Sequence, residues 1–505
     1  MIIPVLILLL FVIAALLMFF RKLPALLALP LMAVGIGVIE VLSGRITLAD
    51  CSLIVIADGA VRLYEPMIIS MFGGILSVLL QKSGVAENIV RRGAELAGDN
   101  PWLVSILMTA LIALLFTTIG GLGAVIMVGT IVLPILASIG IREVISGGIL
   151  LFGISIGGLL NANNWALYKT VLRLPDAAVA SYALMLFGVS MAGVVIFVTI
   201  ELIRSGTVRI AVIRSSIGWM LGLVAGIVIL GALIEQVEWT SLILVLRIAT
   251  FAALAMGIAL AIRDYWRGRS SERAPVVHSY AYLTTVVPLL LILVFGMPFI
   301  TAFLCGIAYG WLTTLRRGSL NMLSRSILEG SASVMPAVVL MMGIGMLISA
   351  ILGPTRNGPG ASWYSVPAVS APAAAAPGVT TQREWPVTGD MKPLIESIVP
   401  GSRLSYILIF ALLGPLALYR GPLNVWGLGY GVGGVLLATG VPAGGVMGIL
   451  MSLGMIQGVS DPTNTQNVWV ANELRVGVNE ILWRTLPYAW GVAILGLVVA
   501  GMYFY

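Results

Sequence analysis

The chain consists of long apolar runs separated by short polar connections. We distinguish sixteen runs, at about 1–20, 24–44, 65–83, 102–119, 121–140, 145–161, 179–202, 215–234, 240–262, 279–297, 298–315, 332–352, 403–419, 421–440, 444–459 and 484–505. A helix needs roughly 20 apolar residues to cross the hydrocarbon core of a bilayer. The pattern therefore predicts an all-α, polytopic membrane protein.

Composition agrees with a membrane protein and limits its chemistry. Charged residues make up 10% of the chain and hydrophobic residues 60%, whereas soluble domains carry roughly 25% charged residues. Cys51 and Cys305 lie in unrelated segments, and the single histidine, His278, lies in a charged linker. We therefore expect no disulfide framework, metal cluster or cofactor. Without a nucleophile–base pair or a phosphate loop, we also expect no enzyme.

Basic residues predict the orientation of the chain. When the connections are assigned alternately to two sides, one side collects nineteen of the 28 Lys and Arg residues and the other collects eight. The positive-inside rule makes the first side the cytoplasm, and these loop charges are not a nucleic-acid footprint. Both termini then face outside. Because Arg21 and Lys22 follow the first apolar run, we interpret that run as a transmembrane helix of the inner membrane and not as a signal peptide.

An internal repeat relates the two ends of the chain. Shifted by 300 positions, residues 121–161 align with residues 421–461 without a gap. Five of the eleven identical positions are glycines. The alignment ends with Asn161 opposite Asp461.

The repeat predicts three parts. Residues 1–205 form a first transmembrane repeat, residues 206–276 a two-helix linker, and residues 277–505 a second repeat. The second repeat contains a Pro- and Ala-rich stretch at about 354–402, which we predict to be a flexible external loop. Nine crossings separate equivalent helices, and an odd number inverts the second repeat relative to the first. Inverted repeats are a recurring plan of secondary transporters.

Two kinds of polar interruption recur once in each repeat. One is a turn at 117–124, matched at 419–424. The helices that flank each turn form either a re-entrant hairpin or two crossings joined by a tight surface loop. The other interruption breaks the next helix at 161–165 and at 460–467. Pro, Asn, Asp, Ser and Thr disfavour a continuous helix there. We predict unwound segments that face each other near the mid-plane, and the alternative is a polar loop outside the membrane.

Charge points to candidate site residues. An ionised residue at the centre of a membrane helix costs about 2.5–3.5 kcal/mol on insertion scales, so it needs a partner or a function. Asp461 and Arg420 either neutralise one another or hold a coupling cation and a substrate anion, respectively. The predicted substrate-binding residues are Thr117, Thr118, Gly120, Gly121, Asn161, Asn163, Asn164, Arg420, Asn424, Thr463, Asn464 and Asn467. The predicted coupling-ion residues are Asp461, Thr463, Asn464 and Thr465, with Na⁺ as a candidate metal at Asp461.

Each repeat contains the same order of features. In the first repeat, a Gly-rich helix with Phe72, Gly73 and Gly74 leads to a basic loop that ends near Arg92, and a Gly turn and a broken polar helix follow. This layout resembles the ion transporter superfamily, which includes citrate, gluconate and C4-dicarboxylate permeases and the large subunits of tripartite carboxylate transporters. The resemblance implies an inverted-repeat fold, usually a homodimer, in which a transport unit moves against a scaffold. The Ser-Asn-Thr signature of the sodium–dicarboxylate branch is absent from both turns, so substrate and coupling ion stay open.

Three hypotheses for function follow. The first is a symporter that moves a small organic anion, with a carboxylate favoured, together with Na⁺ or H⁺. The second is a cation–proton antiporter in which Asp461 alternates between proton and sodium. The third is a membrane subunit that works only with a partner protein that delivers the ligand. Arg420 separates the first two, because an anion carrier needs a cationic or dipolar anion site and an antiporter does not.

Overall fold

A computed structural model describes residues 2–20, 22–97, 100–209, 239–267, 277–316, 318–355, 363, 385–389, 399–426 and 428–505. Every regular element in these ranges is a helix. The expectation of an all-α protein is therefore confirmed for the described part of the chain. The predicted run at 215–234 and most of the loop at 354–402 lie outside it.

We refer to residues 1–205 and 277–505 as the N-terminal and C-terminal halves. The N-terminal half contains α1 Ile2–Phe19, α2 Ala25–Leu42, α3 Leu48–Asp50, a π-helix Cys51–Asp58, α4 Gly59–Val61, α5 Tyr64–Ser83, α6 Val85–Ala97, α7 Pro101–Phe116, α8 Leu122–Ser138, α9 Glu143–Leu159, α10 Ala162–Leu172 and α11 Asp176–Arg204. Local capping sets several of these boundaries. For example, the side chain of Asn100 accepts the N–H of Trp102 at 3.0 Å at the start of α7.

In the linker, the structure describes α12 Trp239–Trp266. The C-terminal half contains a 3₁₀-helix Ser279–Thr285, α13 Val287–Phe295, α14 Phe299–Thr313, α15 Ser319–Leu352, α16 Arg403–Leu413, a second 3₁₀-helix Gly414–Ala417, α17 Gly429–Ala438, α18 Ala443–Ser460, α19 Thr465–Glu473 and α20 Val478–Phe504. Polar connections separate these helices as the apolar pattern predicts.

The helices have the length and surface of a membrane protein. Seven helices within the described ranges are long and apolar enough to cross a membrane, and α9 with α10 makes an eighth if that bent pair is one span. Large apolar side chains on α12 are exposed, including Phe251 at 69%. Hydrocarbon, but not water, accommodates such a surface. The chain is therefore a multi-pass membrane protein.

The run predicted at 65–83 is found as α5, Tyr64–Ser83, but the helical stretch before it, which begins at Leu48 with a capping box of Thr47 and Asp50, was not predicted. Three other predicted boundaries are wrong, each for a local reason. The basic segment after α5 is a helix, α6, whose charged residues had indicated a loop. The run at 332–352 extends back to Ser319 through polar residues that hydropathy excluded. The run at 421–440 shrinks to α17, because the turn before it continues to residue 428.

Part of the 354–402 stretch packs against the end of α15, which corrects the prediction of a flexible loop for these residues. The indole N–H of Trp385 donates to the carbonyl oxygen of Ala350 at 2.7 Å. The hydroxyl of Thr388 donates to the carbonyl oxygen of Ile351 at 2.9 Å. Trp363 lies against Trp385, with ring centroids 5.0 Å apart. Two buried aromatic rings therefore cover the C-terminal end of this helix.

The two halves share a local course over the aligned region. In each, two helices are followed by an interruption, a short helix and a long helix: α8 to α11 in one half and α17 to α20 in the other. Arg173 and Arg475, at the ends of the short helices, have positive φ values of 54° and 55°. This backbone conformation is uncommon for residues other than glycine. The same rare conformation thus follows the short helix in both halves, one residue after α10 and two residues after α19.

Glycines allow the halves to pack closely against each other. A Cβ atom on Gly74 of α5 would lie 2.5 Å from the carbonyl oxygen of Gly330 on α15. A Cβ atom on Gly330 would lie 2.5 Å from the Cα atom of Ile75. Small residues at a helix crossing are a common feature of membrane proteins, because backbones must approach closely to gain packing energy. This crossing joins the N-terminal half to the C-terminal half beside α10.

Candidate functional site

The two helix interruptions lie close together because α9 and α18 cross near their C-terminal ends. The crossing brings Ser155, four residues before the end of α9, against Gly458, two residues before the end of α18. A Cβ atom on Gly458 would collide with the Ser155 hydroxyl. At about 1.5 Å per residue, each helix ends within roughly 6 Å of this contact along its axis. One helix crossing therefore brings both interruptions into the same region.

Both interruptions are present, and both are shorter than predicted. The first falls between Leu159 and Ala162, where the axes of α9 and α10 differ by 51°. The second falls between Ser460 and Thr465. Residues 162–165, 460 and 465–467 are therefore helical, which corrects the predicted extent of the unwound segments.

Asn161 ties the first interruption to the first turn. Its side-chain N–H₂ donates to the carbonyl oxygens of Phe116 at 2.9 Å and Ile119 at 3.4 Å. Its side-chain oxygen accepts the backbone N–H of Asn163 at 3.0 Å and so caps α10. This side chain satisfies carbonyl groups at the end of α7 that have no helical partner.

Two neighbouring residues close the end of α9. The side-chain N–H₂ of Asn164 donates to the carbonyl oxygen of Gly158 at 2.7 Å. The indole N–H of Trp165 donates to the carbonyl oxygen of Leu159 at 2.6 Å. Asn163 instead faces α5, where its side-chain oxygen accepts the hydroxyl of Ser70 at 2.9 Å. Of the three, Asn163 connects the interruption to another helix.

The first turn is buried at its start and open at its tip. The hydroxyl of Thr117 donates to the carbonyl oxygen of Leu114 at 2.7 Å, and that of Thr118 to the carbonyl oxygen of Thr285 at 2.8 Å. Both threonines are buried. A Cβ atom on Gly120 or Gly121 would meet no atom of the described residues within 4 Å. The two glycines therefore border free space, whereas the threonines serve local and interhelical hydrogen bonds.

Asp461 ties the second interruption to the second turn. Its carboxylate is 1% exposed and accepts five hydrogen bonds from three backbone N–H groups and two side chains. The backbone N–H donors are Tyr419 at 3.0 Å, Arg420 at 3.4 Å and Thr463 at 2.9 Å. The side-chain donors are Asn424 at 3.0 Å and the hydroxyl of Thr463 at 2.7 Å. Several donors of this kind are what a buried carboxylate requires.

Two further amides fix the second turn. Asn424, 1% exposed, also donates to the carbonyl oxygen of Ala417 at 2.8 Å, and its oxygen accepts the N–H of Trp426 at 3.0 Å. The side-chain oxygen of Gln457, on α18, accepts the N–H of Val425 at 2.8 Å. The polar groups of this turn are thus satisfied from α18 and from the interruption that follows it.

Arg420 lies beside this cluster without pairing with it. Its backbone N–H reaches Asp461, but no ion pair joins the two side chains, and the Arg420 guanidinium has no hydrogen-bond or ion-pair partner among the described residues. Arg420 is half-buried. The hypothesis that the two side chains neutralise one another therefore gains no support from the geometry.

The remaining predicted residues surround the second interruption. Asn464 precedes α19 and makes no side-chain capping hydrogen bond. Thr465 begins α19. Asn467 is 1% exposed, and its side-chain oxygen has no hydrogen-bond partner in the part of the chain that the structure describes. Together with Thr463 in the Asp461 cluster, these residues lie within the second interruption or in the first turn of α19.

Sequence reasoning missed three polar residues at the site. Gln457 supports the second turn, Ser70 holds Asn163, and Gln466 donates to the carbonyl oxygen of Gly458 at 3.1 Å. Gln457 left a usable signal, because it is a polar residue inside an otherwise apolar run. Ser70 left none, since its role depends on a contact between distant segments.

Other charged residues form contacts away from the interruptions. Glu201 of α11 is buried, pairs with Arg484 of α20, and accepts the hydroxyl of Tyr488 at 2.7 Å. These contacts join the two long helices that follow the short ones. Within the described residues, no group of three or more His, Cys, Asp or Glu side chains is arranged to hold a metal ion.

Comparison with known proteins does not identify a family. No family model matches the chain, and no curated protein matches it.

Proposed function

We propose that this protein is a secondary active transporter that moves a small organic anion, with a carboxylate as the favoured group, coupled to Na⁺ or H⁺. The observation that carries the proposal is the Arg420 guanidinium, which lies next to a buried polar cluster and has no partner among the residues that the structure describes. A cation at membrane depth costs free energy unless a partner or a function compensates it. Because the carboxylate of Asp461 is already satisfied by other donors, a substrate carboxylate is the partner that fits Arg420.

The lengths of the helices around the turns support re-entrant hairpins. Helices α7 and α8 have 16 and 17 residues, and α17 has 10. At 1.5 Å per residue they are about 24, 26 and 15 Å long, shorter than the roughly 30 Å of a hydrocarbon core. The polar residues Thr117, Thr118 and Asn424 in these turns are buried in protein. Non-helical backbone within a membrane requires such burial or a cavity.

The same order of helices and interruption in the two halves supports an inverted repeat around the site. Asn161 and Asp461 occupy equivalent positions in the 300-residue register, and each binds the turn of its own half. Transporters with inverted repeats bind substrate where the broken helices of the two halves meet. The layout shared with the ion transporter superfamily supports the same class of protein and a homodimer.

Coupling through Asp461, Thr463, Asn464 and Thr465 stays a prediction. Cation binding at Asp461 would require its donors to move, because a Na⁺ ion at either carboxylate oxygen would have to displace N–H or O–H groups. The antiporter hypothesis meets the same condition, since it requires this carboxylate to exchange ions. The hypothesis of a subunit that depends on a partner protein predicts no uptake by the isolated chain.

Uptake by proteoliposomes tests the proposal. The purified chain, reconstituted alone, is offered a panel of radiolabelled monocarboxylates, dicarboxylates and tricarboxylates under a Na⁺ or a proton gradient. We expect concentrative uptake of at least one carboxylate. Arg420→Lys should raise the KM about tenfold, because a point charge replaces a planar fork that binds two oxygens at once. Arg420→Gln should raise it further.

Arg325→Gln provides the matched control. Arg325 is exposed on α15, so this substitution removes the same charge at a place away from the site. It should leave the KM unchanged. Wild-type KM in Arg420→Gln, or no uptake of any carboxylate, would contradict the proposal.

A further inference from the structure

Asn161 and Asp461 do the same structural task with opposite polarity. Asn161 donates to two carbonyl groups of the first turn, Phe116 and Ile119. Asp461 accepts from two backbone N–H groups of the second turn, Tyr419 and Arg420. Each side chain therefore joins an interruption to the turn of the same half. An amide suits the first position because it can donate, whereas the second position requires an acceptor.

The hydrogen-bond inventory at Asp461 matches a carboxylate that is ionised and already occupied. An ionised carboxylate accepts hydrogen bonds only, and all five groups around it are N–H or O–H donors. A coupling cation requires oxygen ligands with free lone pairs directed at it. Here the positive ends of five dipoles point at the carboxylate, so the position resembles an anion site filled by the protein's own side chain.

The conformation of the second turn shows what this carboxylate holds. Tyr419 and Arg420 both have left-handed backbone conformations, with φ values of 56° and 54°. Two consecutive residues with Cβ atoms rarely adopt this conformation, which persists only where neighbouring groups over-determine it. The backbone N–H groups of these two residues both bind Asp461. The carboxylate therefore stabilises the strained backbone from which the Arg420 side chain extends.

We propose that Asp461 is a positioning residue, which holds the Tyr419–Arg420 turn so that the Arg420 guanidinium meets the substrate anion, and that it does not bind the coupling cation. The part that concerns substrate rests on the proposed function. The part that concerns the turn rests on the five hydrogen bonds and the two left-handed residues alone.

Asp461→Asn tests the positioning role in transport. The amide keeps the shape but directs its own N–H₂ at donors, so the turn loses part of its support. We expect the KM for the carboxylate to rise about tenfold or more. The Na⁺ concentration for half-maximal uptake and the pH profile should stay as in the wild type, because no cation ligand is lost. Asp461→Glu should recover part of the affinity, because it restores the acceptor charge.

A readout that does not need transport tests the turn directly. In detergent-solubilised protein of confirmed monodispersity, hydrogen–deuterium exchange should be faster at residues 419–424 in Asp461→Asn than in the wild type. Arg325→Gln is the control and should exchange like the wild type. Unchanged exchange at 419–424, or a shifted Na⁺ or pH dependence with an unchanged KM, would overturn the positioning role.

The two proposals fail in different ways. If the wild type transports no carboxylate but exchange at 419–424 depends on Asp461, the proposed function is wrong and the hold on the turn stands. If uptake depends on Arg420 but Asp461→Asn changes neither the KM nor the exchange, the positioning role is wrong and the carrier function stands.

Discussion

The turns of the two halves are held by side chains of the same size and different charge. In the N-terminal half a neutral amide, Asn161, satisfies carbonyl groups, and the tip of the turn consists of glycines that border free space. In the C-terminal half a carboxylate, Asp461, satisfies N–H groups, and the turn carries Arg420. In both halves the aligned residue links the interruption to the turn by hydrogen bonds, but it is a donor in the N-terminal half and an acceptor in the C-terminal half.

A second pair of positions shows the same divergence. At 157 the N-terminal half has glycine, and a Cβ atom there would collide with the carbonyl oxygen of Ala113 on α7. At 457 the C-terminal half has glutamine, which accepts the N–H of Val425 at 2.8 Å. The first half brings two helices into close contact at this place, whereas the second uses a long polar side chain. Substitutions in each half can therefore test close helix packing and side-chain hydrogen bonding independently.

The largest effect is expected from Asn161→Asp. One oxygen of the new carboxylate would keep the N–H of Asn163, but the other would face the carbonyl oxygens of Phe116 and Ile119. An uncompensated buried charge costs about 3–5 kcal/mol. We expect the free energy of unfolding in mixed micelles to fall by an amount of this order. Asn163→Asp is the control, because a carboxylate there can still accept the Ser70 hydroxyl. If Asn161→Asp were as stable as the wild type, position 161 would not require a hydrogen-bond donor, and the contrast with position 461 would be refuted.

Much of the fold could be predicted from the sequence, because apolar length and polar interruption are local properties. Residues 460–467 illustrate this: Pro462 and the surrounding polar residues end α18 where the pattern indicates. The long helix α15 was missed at its start, since Ser, Arg and Glu in residues 319–331 lower the hydropathy of a segment that is still helical. Hydropathy locates the apolar part of a helix well, but it does not show how far the helix extends into polar sequence.

The partners within the site could not be predicted, because they depend on which distant groups meet. The sequence placed Asp461 and Arg420 in neighbouring interruptions and left two alternatives, mutual neutralisation or separate roles with a coupling cation and a substrate anion. In the structure the carboxylate accepts the backbone N–H of Arg420, and the guanidinium has no partner within the described part of the chain. No spacing rule distinguishes a backbone donor from a side-chain donor at the same residue.

A smaller effect is expected from Gly157→Ala. The added methyl group would meet the backbone carbonyl of Ala113 and the Cβ atom of Phe116, neither of which can rotate away. Overpacking of this kind costs about 1–3 kcal/mol. The unfolding free energy in micelles should fall accordingly. Gly188→Ala on α11 is the control, since its Cβ atom would meet no described residue within 4 Å. If the two variants are equally stable, α7 and α9 are not in close contact at this place.

The smallest effect concerns the carbonyl groups at the ends of α9 and α18. Asn164 donates to Gly158 at 2.7 Å and Gln466 donates to Gly458 at 3.1 Å, so each half closes its helix end with an amide from the next helix. Truncation to alanine should cost about 0.5–1.5 kcal/mol in each case, the usual net value of a hydrogen bond. Asn164→Ala should cost more than Gln466→Ala, because its bond is shorter and its side chain has fewer rotatable bonds to fix.

Asn472→Ala is the control for both truncations, because Asn472 is an exposed residue of α19. Its unfolding free energy in mixed micelles should match that of the wild type. The opposite order, with Gln466→Ala the more costly, would mean that the second helix end depends more on its amide than the first. Such a result would mean that the weaker of the two amide–carbonyl hydrogen bonds lies in the N-terminal half, where the turn is held by an uncharged side chain.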